Sequence, residues 1–231
     1  TVEAGPDADP LFITDGASNN ILNASWNGSA LTNGAGITLF NMENINAAMG
    51  GGTDWLIYLS NDAVAVDLST GFATGFSIIS GVERVVGDLG NDSLSGDAAE
   101  NRLDGALGND TLSGAGGVDL LIGGDGDDII IGGLGNDSIQ GGAGADTITW
   151  TFADGRDTIN GGDNTDTFNL VGAGVNEIAY ANWNGSVLTG LWDNALSSIE
   201  EINLNMSGGN DWLIYNTTFA VTVNLALGTA S

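Results

Sequence analysis

Cysteine, histidine and lysine are missing from this chain of 231 residues, and it holds only two prolines and three arginines, Arg84, Arg102 and Arg156. Without cysteine there is no disulfide, and without cysteine or histidine the common zinc ligands are gone. The same absences remove the usual general bases and nucleophiles, and no GxSxG elbow replaces them, so the sequence predicts no enzyme. Carboxylate pairs could serve a glycosidase, but here they recur regularly, and a catalytic pair should interrupt a pattern instead of making one. Three cations against 30 acidic residues leave a net charge of −27. No basic patch exists to displace counterions from phosphates, which excludes nucleic acid as a partner. No apolar run approaches the ~20 residues of a membrane-spanning helix, and no amino-terminal signal peptide or targeting motif is visible.

Glycine and aspartate are plentiful, and they fall in register. Between residues 87 and 169 a nine-residue pattern repeats: GDLGNDSLS (87–95), GDAAENRLD (96–104), GALGNDTLS (105–113), GAGGVDLLI (114–122), GGDGDDIII (123–131), GGLGNDSIQ (132–140) and GGAGADTIT (141–149). An expanded copy, WTFADGRDTIN (150–160), and a closing one, GGDNTDTFN (161–169), complete the run. Glycines at positions one, two and four supply positive φ and close backbone approach. Position eight is always apolar: Leu94, Leu103, Leu112, Leu121, Ile130, Ile139, Ile148, Ile159 and Phe168. Side chains alternate across a strand, so each copy, six residues of turn and three of strand, points one apolar residue inward. Strands that short cannot stand alone, and the copies must stack to bury that row.

The pattern GGxGxDxUx resembles the calcium-binding nonapeptide of the RTX (repeats-in-toxin) proteins. The resemblance implies an all-β fold: a parallel β-roll in which two successive nonapeptides make one coil, flanked here by irregular β-solenoid coils. Alternate turns would then lie on opposite edges. One edge would carry Asp92, Asp110, Asp128, Asp146 and Asp166, and the other Asn101, Asp119, Asp137 and Asp157. Each step along an edge spans two nonapeptides and is stretched once, at the insertion within 150–160. Carboxylates one strand spacing apart (about 4.8 Å) repel when bare. A hard divalent cation between turns removes the repulsion and takes oxygen ligands from the carboxylates and from glycine-turn carbonyls, here Gly90, Gly108, Gly117, Gly126, Gly135 and Gly144. The implied cofactor is Ca²⁺, at about seven sites if every gap is filled, which would roughly halve the negative charge. Asn101 departs from the pattern, so the site it shares with Asp119 is expected to be weak or empty. Asp9, Asp54 and Asp211, outside the uninterrupted run, are further candidate ligands.

A longer period runs through the whole chain. Trp26-Asn-Gly-Ser-Ala-Leu-Thr32 matches Trp183-Asn-Gly-Ser-Val-Leu-Thr189, and GTDWLIY (52–58) matches GNDWLIY (209–215), both at an offset of 157. Such self-similarity signals a tandem array. The expected organisation is the end of a preceding roll (1–11), an intermediate β-solenoid segment (12–86), the roll (87–169) and a second, truncated intermediate segment (170–231). Trp55 and Trp212, each following an Asp, fall at outward strand positions and suit local packing, a lateral contact or a sugar-stacking surface.

The expected function is a calcium-dependent structural segment of a secreted, tandemly repeated bacterial protein. A surface layer, filament, matrix or adhesin stalk fits it. It would fold outside the cell at millimolar Ca²⁺ and self-associate end to end or laterally, with cell-surface polysaccharide as a further partner. RTX proteins usually leave the cell by type I secretion with a carboxy-terminal signal. The ending NLALGTAS does not resemble one, so the expectation is a fragment of a longer protein. The alternative is a calcium-binding export and folding tail of a secreted hydrolase or toxin.

Overall fold

A computed structural model describes the chain almost continuously from Thr53 to Gly172, apart from positions 60 and 77, with strand segments on either side. Among the described residues every element is a strand, and no helix is long and apolar enough to cross a membrane. The architecture is an all-β, mostly parallel solenoid whose two large sheets face each other.

Alternate nonapeptides feed alternate sheets. In the long sheet, Trp55–Tyr58, Arg84–Asp88, Arg102–Leu107, Leu120–Asp125, Ser138–Ala143 and Thr158–Asp163 lie side by side, all parallel. The opposing sheet runs Ala65–Asp67, Ser93–Ser95, Thr111–Ser113, Ile129–Ile131, Thr147–Thr151 and Thr167–Val171. Register advances by two nonapeptides per coil, as in Leu103↔Leu121 and Leu112↔Ile130, and by the extra length of the insertion where it intervenes, as in Ile139↔Ile159.

The core is the expected row from both sides. Leu103, Leu121, Ile139 and Ile159 face Leu94, Leu112, Ile130, Ile148 and Phe168, all buried. Leu56, Val66 and Val85 continue it below the glycine repeats, so the first coils are packed without the glycine motif. The two-residue insertion is tied down by Asp154, whose carboxylate accepts from the Thr151 N–H and the Thr151 hydroxyl.

Two sequence expectations need correction. Strands of the opposing sheet are indeed three residues long through the first coils (Ser93–Ser95, Thr111–Ser113, Ile129–Ile131), but in the long sheet those from Arg102–Leu107 to Thr158–Asp163 run six. They continue into the first three positions of the next copy, as in Gly105-Ala106-Leu107, where backbone pairing holds with no apolar alternation to announce it. Position-one glycine also has a single cause, because positive φ is confined to positions two and four, as at Ala106 (76°) and Gly108 (123°). At position one the reason is space. A Cβ on Gly87 would collide with Asp92 Oδ2 and lie 2.8 Å from the Gly105 carbonyl oxygen.

The flanking strands repeat one another at the same offset of 157. Ile21–Trp26 pairs with Trp55–Tyr58 as Ile21↔Trp55, and Ile178–Trp183 pairs with Trp212–Asn216 as Ile178↔Trp212. Val2↔Leu39 and Ile159↔Leu196 are likewise equivalent, as are Leu11↔Ile45 and Phe168↔Ile202. Asn44–Ala48 is a strand.

Candidate metal centre

Position six builds two ladders of carboxylates. On one edge the backbone N–H of Asp92 donates to Oδ1 of Asp110, Asp110 to Asp128, Asp128 to Asp146 and Asp146 to Asp166, at 2.7–2.9 Å. On the other, Asn101 donates to Asp119, Asp119 to Asp137 and Asp137 to Asp157. The two edges are the sets the sequence separates. All nine side chains are between 0 and 3 % exposed.

Each carboxylate thus spends one oxygen on its neighbour's backbone, and the other carries the chemistry. Oδ2 of Asp92, Asp110, Asp119, Asp128, Asp137 and Asp146 is buried with no hydrogen-bond donor. At Gly105 a Cβ would collide with Asp110 Oδ2 and sit 2.7 Å from the Gly123 oxygen, and at Gly123 it would meet Asp128 Oδ2 and the Gly141 oxygen, 2.5 Å away. A carboxylate oxygen and a carbonyl of the next coil therefore converge on one small space, which only glycine leaves open. Two acceptors with no donor between them suit a hard cation and suit little else. Among the described residues no three acidic side chains gather at one point. The donor set is accordingly one carboxylate oxygen per turn completed by backbone carbonyls, which fits oxygen-ligated Ca²⁺.

Burial makes bare carboxylates costly. It pushes Asp110 and Asp146 up to about 6 and Asp119, Asp128 and Asp157 up to about 7, and it raises Asp92 and Asp137. The N–H donated to each side chain works in the opposite direction, and neighbouring carboxylates, such as Asp146 beside Asp128, add to the rise.

Several predicted ligands behave differently. Asn101 turns Oδ1 to the Asp97 N–H of its own turn, which leaves Nδ2 buried and without an acceptor. Its Oδ1, not Nδ2, stands where the other copies place Oδ2, beside the Gly114 carbonyl oxygen. The carbonyl oxygens of Gly90, Gly108, Gly117, Gly126 and Gly135 lie where a Cβ would stand on the next position-four glycine, up to Gly144 and Gly155. Carbonyls of position one, which the sequence did not single out, lie beside the orphaned Oδ2 atoms. Asp54 is buried, and its N–H donates to Glu83 Oε2 at 2.9 Å, with Glu83 standing in the ladder below Asn101. Asp9 and Asp211 lie outside the described residues.

Glu83 and a second ladder escaped the sequence reading. At position five, the N–H of Asn109 donates to Asn91 Oδ1, that of Asp127 to Asn109 and that of Ala145 to Asp127. On the other edge Arg156 donates to Asn136. These bonds run opposite to those of position six, so successive turns are stapled in both directions. The signal available was spacing: Glu83 lies one full coil before Asn101, and Asn91, Asn109 and Asp127 share the period.

Trp55 packs locally. The guanidinium carbons of Arg84 and Arg102 stand 4.9 and 5.8 Å from its ring centroid.

Residues 79–112, 113–148 and 153–170 match the family model described as the RTX calcium-binding nonapeptide repeat (4 copies). This stretch belongs to the RTX calcium-binding repeat family. RTX repeats bind calcium in general and typically belong to secreted bacterial proteins. No curated protein matches the chain.

Proposed function

We propose that the chain is a calcium-folded structural segment of a secreted, tandemly repeated extracellular protein, without catalytic activity of its own. The observation that carries this reading is the recurrence of the same strand pairs at an offset of 157, including Val2↔Leu39 with Ile159↔Leu196. A repeat that joins its neighbour through continuous sheet builds a rod, the form expected of a stalk, filament or surface layer. That favours it over the export tail of a hydrolase or toxin.

The RTX stretch supplies the switch. At neutral pH and low calcium, Asp92, Asp110, Asp128 and Asp146 would bury charge against one another, and the chain resists closing. When bound, Ca²⁺ supplies positive charge and shared coordination between turns, at about seven sites on this reading. Asp Oδ2 and the position-one carbonyls hold it, and the ladder N–H groups fix each carboxylate's orientation. The chain would stay extended for type I secretion and fold outside. Extracellular location, self-association and a polysaccharide partner belong to the same proposal.

The test is a calcium titration of the EDTA-stripped chain followed by far-ultraviolet circular dichroism and light scattering. A cooperative gain of β signal reversed by chelator, with growth in particle size, is the expected result. A chain fully folded in EDTA at pH 7.5 and unchanged by calcium would overturn the switch.

A further inference from the structure

The roll is heavily charged and thinly packed, and the segment that precedes it is neither. Residues 10–86 carry six acidic side chains and residues 87–169 carry sixteen. Among the described residues, one carboxylate is buried between Thr53 and Val86, that of Asp54, whereas the roll buries nine. Apolar burial is distributed the other way. Each regular nonapeptide contributes one core residue, but Tyr58, Val64, Phe76, Ile79, Val82 and Val85 are all buried within a stretch shorter than two coils, which in the roll would bury four. Polar groups here also find partners in the protein. The Tyr58 hydroxyl donates to the Thr74 carbonyl at 2.7 Å, the Ala65 N–H to Thr74 Oγ1 at 2.8 Å, and the Ile79 N–H to the Gly71 carbonyl at 2.7 Å. On the outer face Arg84 stacks on Trp55, its register partner in the neighbouring strand. Five residues before Glu83, where the roll places the glycine that leaves room for a cation, stands Ile78.

We propose that residues 10–86 form a calcium-independent cap that seeds the folding of the roll. Size permits it, because domains of about 60 residues fold unaided. Pro10–Thr14, Ile21–Trp26 and Asn44–Ala48 extend the sheets of this segment. Apolar burial stabilises the cap at any calcium concentration, while in the roll the repulsion between buried carboxylates opposes the same term. The folded cap offers the first coil a strand edge in each sheet. Arg84–Val86 receives Arg102–Asp104 and Ala65–Asp67 receives Ser93–Ser95, both in parallel. Such an edge fixes register, which a strand of three residues with one core side chain specifies poorly by itself. Val64 adds an N–H for Asp92 Oδ1 at 2.8 Å, so the cap orients the first carboxylate of its ladder. Calcium would then close the coils in order, from Asp92 toward Asp166. This assigns the regulation of the calcium switch proposed above and rests on it.

The test is hydrogen exchange of the full chain at pH 7.5, read by mass spectrometry in EDTA and at saturating calcium. In EDTA, peptides from 55–86 are expected to exchange at least a hundredfold more slowly than an unstructured chain, and those from 105–149 at the unstructured rate. Calcium should protect both. Two variants act on the cap and touch no ladder carboxylate: Ile79→Ala, and Gly71→Ala, whose methyl group would stand 2.6 Å from the Ile79 carbonyl oxygen at a φ of 73°. Each is expected to remove the protection of 55–86 in EDTA and to raise at least threefold the calcium concentration that half-protects 105–149. Ile148→Ala, the same truncation inside the roll, should leave the protection of 55–86 in EDTA intact. If Ile79→Ala does not fold even with calcium, Gly71→Ala decides. Exchange of 55–86 at the unstructured rate in EDTA overturns the cap, and cap variants that lose this protection with an unchanged calcium requirement overturn the seeding. Full protection of 105–149 in EDTA overturns the switch instead, and this inference falls with it.

Discussion

The backbone N–H of Asp110 donates to Oδ1 of Asp128, one coil later, at 2.7 Å. One side chain therefore joins two coils covalently distant from each other, and its second oxygen, Oδ2, has no protein donor. Structural and metal-holding roles fall on different atoms of the same carboxylate, and substitutions can separate them.

Asp128→Asn keeps an oxygen for the Asp110 N–H and removes the charge. It should raise the calcium concentration needed for half-folding while leaving the chelated chain no less folded than the parent. Asp128→Ala removes both roles and leaves a buried N–H unsatisfied, at a cost of about 1–3 kcal/mol in the calcium-saturated form. Circular dichroism titrations of the two variants, with thermal unfolding at saturating calcium, check the order. Equal behaviour of Asn and Ala would refute the division of labour.

Acid should partly replace calcium. The folded carboxylates of Asp110, Asp119, Asp128, Asp146 and Asp157 titrate near 6 to 7, above the value of 3.8 they have when unperturbed. Between those limits the metal-free fold binds more protons than the unfolded chain, so its stability falls as the pH rises from about 4 through 7. In EDTA the β signal should grow as the pH is lowered from above 7 toward about 4. Calcium binding near pH 6.5 should release protons, measurable by calorimetry in buffers of different ionisation enthalpy. An EDTA form equally folded at pH 5 and 8 would count against it.

Position one and position two separate space from backbone conformation. Gly105→Ala drives a methyl group into Asp110 Oδ2 and to within 2.7 Å of the Gly123 oxygen, and should cost about 1–3 kcal/mol. Ala106→Gly, at φ 76°, relieves a left-handed alanine and should leave stability unchanged or raise it by about 1 kcal/mol. Thermal unfolding of both at saturating calcium gives the comparison, and a Gly105→Ala protein as stable as the parent would remove the close-approach explanation.

Glu83 stands one coil below Asn101, and its carboxylate accepts from the Asp54 N–H. Glu83→Ala deprives the buried Asp54 N–H of its acceptor and should speed amide exchange at Asp54 by at least tenfold, with little change at Asp146, far along the stack. Exchange that accelerates evenly along the solenoid would mean that Glu83 acts on the whole fold.

Much of this was legible in the sequence because solenoid geometry turns period into position. The spacing of Leu94, Leu112 and Ile130 gives one wall of the core, and the spacing of Asp92, Asp110 and Asp128 gives one edge. Glu83 was hidden because VERVV has neither the glycines nor the aspartate of the repeat, although its strand stacks in the same register. The six-residue strands were hidden because pairing through Gly105-Ala106-Leu107 depends on backbone alone. Asn101 was recognised as a departure, but only the structure shows that its Oδ1 accepts from the Asp97 N–H of its own turn.

The rungs of position six all point the same way, from the N–H of an earlier coil to the carboxylate of a later one. At the beginning of the first ladder, Val64 gives an N–H to Asp92 and contributes no acid in return. The position-six ladder is thus polar, with donors facing one end and acceptors facing the other, like a row of plugs and sockets. A chain emerging amino end first would present each donor one coil before its socket arrives, and one emerging carboxyl end first would present the sockets already charged. The order in which the coils close therefore decides whether a growing end waits for a partner or repels its own neighbours until metal comes.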